Sequence, residues 1–227
     1  MHHSDEIRIL YHDGDIIVAE KPIGIPSQPD PSGDADMTAL LAAQTGGDAF
    51  AVHRLDRTTG GVTVYAKTKA AAAFLSKGIA SGDFEKEYLA VVEGELLPPA
   101  GEMHDLLFHD KRKNRSFTVD RKRAGVKDAH LTYRVLAMRD GKSLASVRLL
   151  TGRTHQVRVQ MASRRHPLCG DGKYGSRDNG CSAALFAASL AFTAPSGKRM
   201  HFTACPPCDR YPWSVFRDGL SAENDAR

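Results

Sequence analysis

Long apolar runs are missing from this sequence. The longest stretch of small and apolar residues, 70–75, falls far short of the ~20 needed to cross a bilayer. The first six residues are polar and carry none of the apolar segment of a secretion signal, so a cytoplasmic location is expected and a membrane partner is not. Cysteine is scarce, four in 227 residues, too few for disulfides to organise a chain long enough to bury its own core. Cys205 and Cys208 do have the two-residue gap of a metal loop, with Cys169, Cys181 and His201 to complete it. Two prolines fill that gap and no second close pair exists, so neither zinc nor any other metal is expected. A strong charge of one sign is lacking too: 31 Lys and Arg against 27 Asp and Glu leave a net +4. With 41% hydrophobic and 26% charged residues the composition is that of an ordinary globular chain.

The charge that is present is unevenly placed. Residues 111–123 hold seven basic side chains against one Asp, a run that attracts a polyanion and makes binding salt-dependent. A solvated hairpin is the plainer account of a charge run. Seven cations with so little compensation repel one another, however, and a phosphate backbone explains them better. Lys111, Arg112, Lys113 and Arg115 are the candidate contacts.

A second unusual segment is 51–62, where Asp56 stands between Arg54 and Arg57, with His53 close by and Gly60-Gly61 following. Positive charge beside a carboxyl favours its ionised form, and glycines permit backbone shapes closed to other residues. The pattern suits a poised nucleophile or an anion pocket. An aspartate among arginines is also what a surface ion pair looks like, and such pairs contribute only roughly 0–1 kcal/mol.

The chain opens with two apolar runs, 7–11 and 16–19, around a His-Asp-Gly-Asp turn, which predicts a β-hairpin. A loop with three prolines follows over 21–29 and can be neither helix nor central strand. Asp36 caps a predicted helix through Gln44, closed by Gly46-Gly47, and an Ala-rich helix is predicted over 69–80, ending at Gly82. Residues 62–66 and 84–94 read as strands, the latter with Tyr88, Ala90 and Val92 on one face and Leu89 and Val91 on the other. The basic run is expected to form an extended hairpin or flexible arm outside the core, with strands resuming at Ala129. Residues 130–136 and 143–149 flank an Asp-Gly turn. The expected class is α+β with a large, mixed, mostly antiparallel central sheet, and no composition shift cuts the chain. Residues 157–161 alternate apolar and polar, which by periodicity favours a strand.

Several segments together resemble the RluA-like pseudouridine synthases, which convert uridine in RNA to its C-glycoside isomer. Residues 53–61 are similar to the family's H-R-L-D-x-x-T-S-G, with Gly60 in place of Ser. Residues 21–26 are similar to K-P-x-G-x-P, 86–94 to K-x-Y-x-A-x-V-x-G, 152–159 to G-R-T-H-Q-I-R-V and 166–175 to H-P-I-x-G-D-x-x-Y-G. Gln160 and Phe186 depart from it where histidine is common.

The resemblance implies that Asp56 is the covalent nucleophile. It implies that Tyr88 stacks on the flipped base and relays a proton, and that Arg153 is the ionic partner of the aspartate. It also implies a helix opening near 156, against the periodicity, while His155 is expected to be structural and the 166–175 loop to line the pocket. No cofactor is implied, since isomerisation needs neither redox chemistry nor a phosphate donor. The partner is then a structured RNA, tRNA or rRNA, rather than DNA, with Arg54 and Arg57 joining the basic run in gripping phosphates. The family's N-terminal S4 module has no room before the catalytic pattern, so the expectation is one catalytic domain over 1–227, as two closely packed subdomains or undivided, and monomeric. Two other classes stay open: a non-catalytic RNA-binding protein retaining the fold, and a metal-dependent hydrolase using His104-Asp105 and His109-Asp110.

Overall fold

The computed structural model describes residues 6–218 and 220. Its elements in chain order are β1 (Ile9–His12), β2 (Ile16–Lys21), α1 (Met37–Thr45), β3 (Phe50–Ala51), β4 (Gly60–Ala66), α2 (Lys69–Ser81), β5 (Glu85–Glu93), β6 (Ala100–Asp110), β7 (Arg115–Val119), β8 (Val126–Arg139), β9 (Lys142–Leu149), α3 (Gln156–Ser163), β10 (Leu185–Thr193) and β11 (Arg199–Thr203). They fall into two compact units, one of residues up to 85 with 187–204, the other of 86–186 with the segment from 205.

In the first unit β1 and β2 form the predicted antiparallel hairpin. Asp13 closes its turn, Oδ1 accepting the N–H groups of Asp15 and Ile16 at 2.8 Å each. β2 pairs with β4 from Ile16↔Ala66 to Lys21↔Gly61, and β4 also carries β3 and neighbours β10, on which β11 pairs. Every residue of β4 is buried, so its β-branched run is that of a central strand. The helices start and stop on local chemistry. The Asp36 carboxylate accepts the N–H groups of Thr38 and Ala39, and Thr68 Oγ1 accepts that of Ala71. Gly46 and Gly82 close the C-termini in the left-handed region that a C-cap glycine adopts freely. α1 buries Met37 and Leu41 against Ile7, Ile17, Ala19 and Tyr65, and full burial of each large apolar side chain stabilises by roughly 1.5–3 kcal/mol.

The second unit is a sheet in the order β5-β9-β8-β6-β7, every neighbouring pair antiparallel. Asp140 and Gly141 join β8 to β9 with φ of 50° and 66°, the two left-handed residues such a hairpin turn requires. Strands begin well before Ala129, contrary to the sequence expectation: β6 spans Ala100–Asp110 and β8 starts at Val126. The alternation of β6 is masked because Asp105 stands between buried Met103 and Leu107. Its carboxylate is held by Arg164 at 2.9 Å and Gln160 at 2.7 Å. The basic run is an ordered hairpin, β6 and β7 paired from Leu106↔Val119 to Asp110↔Arg115.

Residues 156–163 are helical, as the resemblance implies and the alternation does not. Gln156 through Met161 are all buried, so apolar and polar side chains do not sort onto two faces. The buried polar side chains instead find partners within the fold: Gln156 bonds Thr151 and the His130 carbonyl, Arg158 bonds Asp171, and the Gln160 amide nitrogen reaches the Met103 carbonyl at 3.2 Å. The α+β class with a mostly antiparallel sheet stands as expected. No helix among the described residues is long and apolar enough to cross a membrane.

Candidate active site

Asp56 sits at the head of a turn closed by the Thr59 N–H on its own carbonyl at 2.9 Å, directly before β4. The loop is laced to the proline-rich loop that follows β2. Ser27 Oγ both accepts the Leu55 N–H and donates to the Leu55 carbonyl, each at 3.0 Å. The Gly24 N–H donates to the Arg57 carbonyl at 2.8 Å, and Arg57 Nε returns to the Gly24 carbonyl at 2.7 Å. Prolines 22, 26 and 29 stiffen one side of this lacing by fixing their φ. Asp56 itself is half-buried.

The neighbouring bases have distinct tasks. Arg57 turns toward the proline-rich loop, donating to Ser32 Oγ at 3.2 Å and pairing with Asp34. That guanidinium, with the Ser32 hydroxyl, holds the Asp34 carboxyl below the usual carboxylate range. Arg54 is exposed. His53 is not the cation expected from the sequence. Its Nε2 accepts the Val64 N–H at 3.2 Å, which requires an unprotonated nitrogen, and its ring meets Phe84 edge-on.

A base that sequence reasoning left without a role lies beneath this loop. Lys21 ends β2 wholly buried, with Nζ donating to the carbonyls of Pro22 at 2.9 Å, Ile25 at 2.6 Å and Arg57 at 3.5 Å. Burial pushes its pKa down to about 8, the charge of Asp56 acting to raise it and that of Arg57 to lower it. Its sequence signal is the K-P-x-G-x-P block, whose prolines mark a loop while its lysine supplies the scaffold.

Of the glycine pair, Gly61 is the constrained one. Its φ is 115°, and a Cβ there would stand 2.2 Å from the Ala187 carbonyl oxygen on β10. Gly60, where the family has Ser, opens β4 and is buried. Close approach of the β10 backbone thus fixes how β4 leaves the Asp56 turn.

Asp56 belongs to the first unit, Tyr88 and Arg153 to the second. Tyr88 is a buried residue of β5 paired opposite Val147, which in turn lies opposite Tyr133 on β8. Arg153 is half-buried just before α3, with Nε donating to the Asp128 carbonyl at 2.7 Å and its own N–H bonded to Gln156 Oε1. His155 adopts a left-handed φ of 55° and caps no N–H with its ring. Its Nδ1 bonds the Tyr174 hydroxyl at 2.9 Å, and that hydroxyl accepts the Ser116 N–H at 2.8 Å. The 166–175 loop is thereby an internal brace: Asp171 holds Arg158 through two bonds of 2.7 and 2.8 Å, both side chains buried.

At the tip of the β6–β7 hairpin Lys111, Arg112 and Lys113 are exposed, their turn held by Asp110 Oδ1, which accepts two of its N–H groups. Arg115 lies back over the rings of Phe117 and Tyr174. The two His-Asp pairs do not converge. Asp105 is tied to Arg164 and Gln160, Asp110 to the turn, and His104 stacks on His130. Among the described residues no three His, Cys, Asp or Glu side chains gather as a metal site would need, and none of the four cysteines is in a disulfide.

A family model described as RNA pseudouridylate synthase matches residues 15–163, a span that takes in Asp56, Tyr88 and Arg153. The uncharacterized RNA pseudouridine synthase YhcT of Bacillus subtilis is 34% identical over 178 residues, 75% of this chain, and the chain spans 58% of that protein's length. The dual-specificity RNA pseudouridine synthase RluA of Yersinia pestis is 34% identical over 200 residues, 86% of this chain and 96% of its own. Among solved structures, human RNA pseudouridylate synthase domain containing 1 superposes with a TM-score of 0.75 at 23% identity, over 91% of this chain and 86% of that one, which shows the shared fold. The family match across the Asp56 turn, β5 and the approach to α3, together with a relative matched over nearly its whole length, makes this chain a member of the RluA-like RNA pseudouridylate synthase family of isomerases.

Proposed function

We propose that this protein isomerises a uridine in tRNA or rRNA to pseudouridine, with Asp56 as the covalent nucleophile. The observation that carries the reading is the Asp56 turn. A carboxylate in the family's motif is presented half-buried on a loop laced at Ser27, Gly24 and Lys21 to a proline-stiffened neighbour. Such preorganisation is what a reacting group needs. In the reaction the bond from N1 of uracil to C1′ of the ribose breaks and one from C5 to C1′ forms. C5 loses a proton and N1 gains one, so the product has the composition of the substrate and no oxidant or donor is consumed. An Asp56 adduct, at the sugar or at the base, divides that change into easier steps. By the motif match Tyr88 takes or relays the C5 proton, and Arg153 supplies the positive charge that the motif carries at its position.

The uridine must be unstacked and turned out of its RNA, at a few kcal/mol. The exposed tip of Lys111, Arg112 and Lys113, with exposed Arg54, is suited to offset this through phosphate contacts. Arg57 and Arg115, engaged with Asp34 and with two aromatic rings, hold these elements in shape. Tritium release from RNA labelled at uridine C5 tests the activity. Release by the native chain and none by Asp56→Ala is expected. An absence of release from any cellular RNA would instead leave a binding protein that keeps the fold.

A further inference from the structure

The sheet of the second unit has two unlike faces. On the face that meets α3, Met103 and Leu107 of β6 and Ala129 and Leu131 of β8 are buried. Side chains alternate between the faces, and those on the opposite face are apolar too, yet only half-buried: Leu106 and Phe108 of β6, Phe117 and Val119 of β7 and Val126 of β8. The strand register sets them in rows, because residues directly opposed in an antiparallel pair point to the same side. Phe117, Phe108 and Val126 make one row; Val119, Leu106 and Asp128 make the next. The third is the pair of His104 and His130, whose rings stack at 5.3 Å. Cations stand on the rings themselves. The Arg123 guanidinium lies 5.2 Å from the centre of the Phe108 ring, and that of Arg115 lies 5.4 Å from the centre of the Phe117 ring.

We propose that this face is a stacking platform for unpaired nucleotides of the RNA substrate, so that the protein selects a uridine flanked by single-stranded RNA. The proposal rests on the reading of the protein as an RNA-modifying enzyme, and it adds a surface for bases to the phosphate contacts of Lys111, Arg112 and Lys113. Half-exposed rings and guanidinium planes are what splayed-out bases stack on, with little regard to sequence. Bases paired within a duplex keep their faces to one another and cannot use such a surface. Charge identifies the occupant. Residues 111–123 run through the tip of the β6–β7 hairpin, β7 and the loop after it, and carry seven basic side chains against one Asp. An apolar, ring-bearing face with a cationic border matches a strand of bases joined by phosphates.

The test measures binding by fluorescence anisotropy with two probes, a labelled oligouridine single strand and an RNA duplex of the same length. The native chain is expected to prefer the single strand. Phe108→Leu combined with Phe117→Leu keeps an apolar face and removes only the stacking planes. Its affinity for oligouridine should fall about tenfold, equivalent to ~1.4 kcal/mol, while duplex affinity and the salt slope stay near native. Lys111→Gln combined with Lys113→Gln should instead weaken binding of both probes and flatten the salt slope. Phe117 lies on the edge strand β7, so Phe117→Leu alone, with about a threefold loss expected on the single strand, decides the matter if urea unfolding shows the double variant to be unfolded. A leucine variant that binds oligouridine as the native chain does, one that is folded and loses equally on both probes, or a native chain that prefers the duplex would overturn the platform. Tritium release is read separately. A chain that releases none while its single-strand affinity depends on the two rings would overturn the synthase reading alone.

Discussion

Ser27 and Leu55 hold each other twice, the hydroxyl accepting the Leu55 N–H and donating to the Leu55 carbonyl at 3.0 Å each, across 28 residues of sequence. Both groups are buried, so no water replaces the hydroxyl when it is removed. Ser27→Ala is expected to cost about 1–3 kcal/mol, the penalty for leaving buried backbone groups unpaired. It should also slow turnover, because Leu55 is the residue before Asp56. Thermal unfolding and tritium release measure the two effects separately.

Gly61 permits no side chain. A Cβ 2.2 Å from the Ala187 carbonyl oxygen, at a φ of 115°, meets backbone that cannot step aside. Gly61→Ala is expected to destabilise by about 4 kcal/mol or more, at the extreme of single substitutions, and soluble yield with urea unfolding will show it. Gly14, with nothing within 4 Å of its Cβ position, is the control that should tolerate alanine.

Arg158 and Asp171 form a buried bidentate pair under α3. Removing one partner strands the other charge in the interior, so Asp171→Ala is expected to cost about 3–5 kcal/mol. Urea denaturation should give a lowered midpoint. Equal stability would mean that the arginine finds another acceptor.

Tyr174 links three elements through one hydroxyl, taking the Ser116 N–H of β7 and bonding His155 beside α3. Tyr174→Phe keeps the ring against Arg115 and Arg158 and deletes only that junction. A loss of about 1–3 kcal/mol is expected, with faster hydrogen exchange at the Ser116 amide. RNA affinity should fall as the hairpin loosens, although no basic residue has been changed.

The contribution of Lys21 to stability is expected to rise at alkaline pH, against the opposite contribution of Cys169 and Cys181, whose thiols burial pushes up to about 12 and about 11. Its folded pKa of about 8 lies below the ordinary lysine value of 10.5, so between these two the unfolded chain binds more protons than the folded one and stability increases with pH. The full gain is roughly 3 kcal/mol, reached as the unfolded lysine also loses its proton. Lys86, lowered by burial as well, adds to the same direction. From pH 7.5 to about 10.5 the unfolding free energy of the native chain should gain steadily on that of Lys21→Met; parallel curves would contradict the burial of a charged lysine.

Local chemistry was legible where its partners lie within a few residues. Asp36, Gly46 and Gly82 mark helix ends because a cap is completed by N–H and C=O groups one turn away, and Asp140-Gly141 marks a hairpin because two left-handed residues suffice. Long-range partners were not legible. His53 looked like a cation beside Asp56 until Val64, eleven residues on, proved to donate to its ring. The pairing of Arg57 with Asp34, 23 residues away, was equally invisible. β6 went unread because its half-buried Asp105 is satisfied by Arg164, 59 residues away.

The sequence by itself determined the family, the α+β class and the identity of the candidate nucleophile, since these reside in motifs whose spacing survives without any knowledge of contacts. Tertiary structure decided what surrounds that nucleophile. Only folding brings Lys21, at the end of β2, under the turn of Asp56, and only the burial it imposes turns an ordinary surface cation into a fixed charge whose proton is held less tightly. It also explains why 156–163 is the helix that the motif implies and the alternation does not: buried Arg158 and Gln160 draw their partners from distant segments, and a polar residue with such partners no longer marks the solvent side.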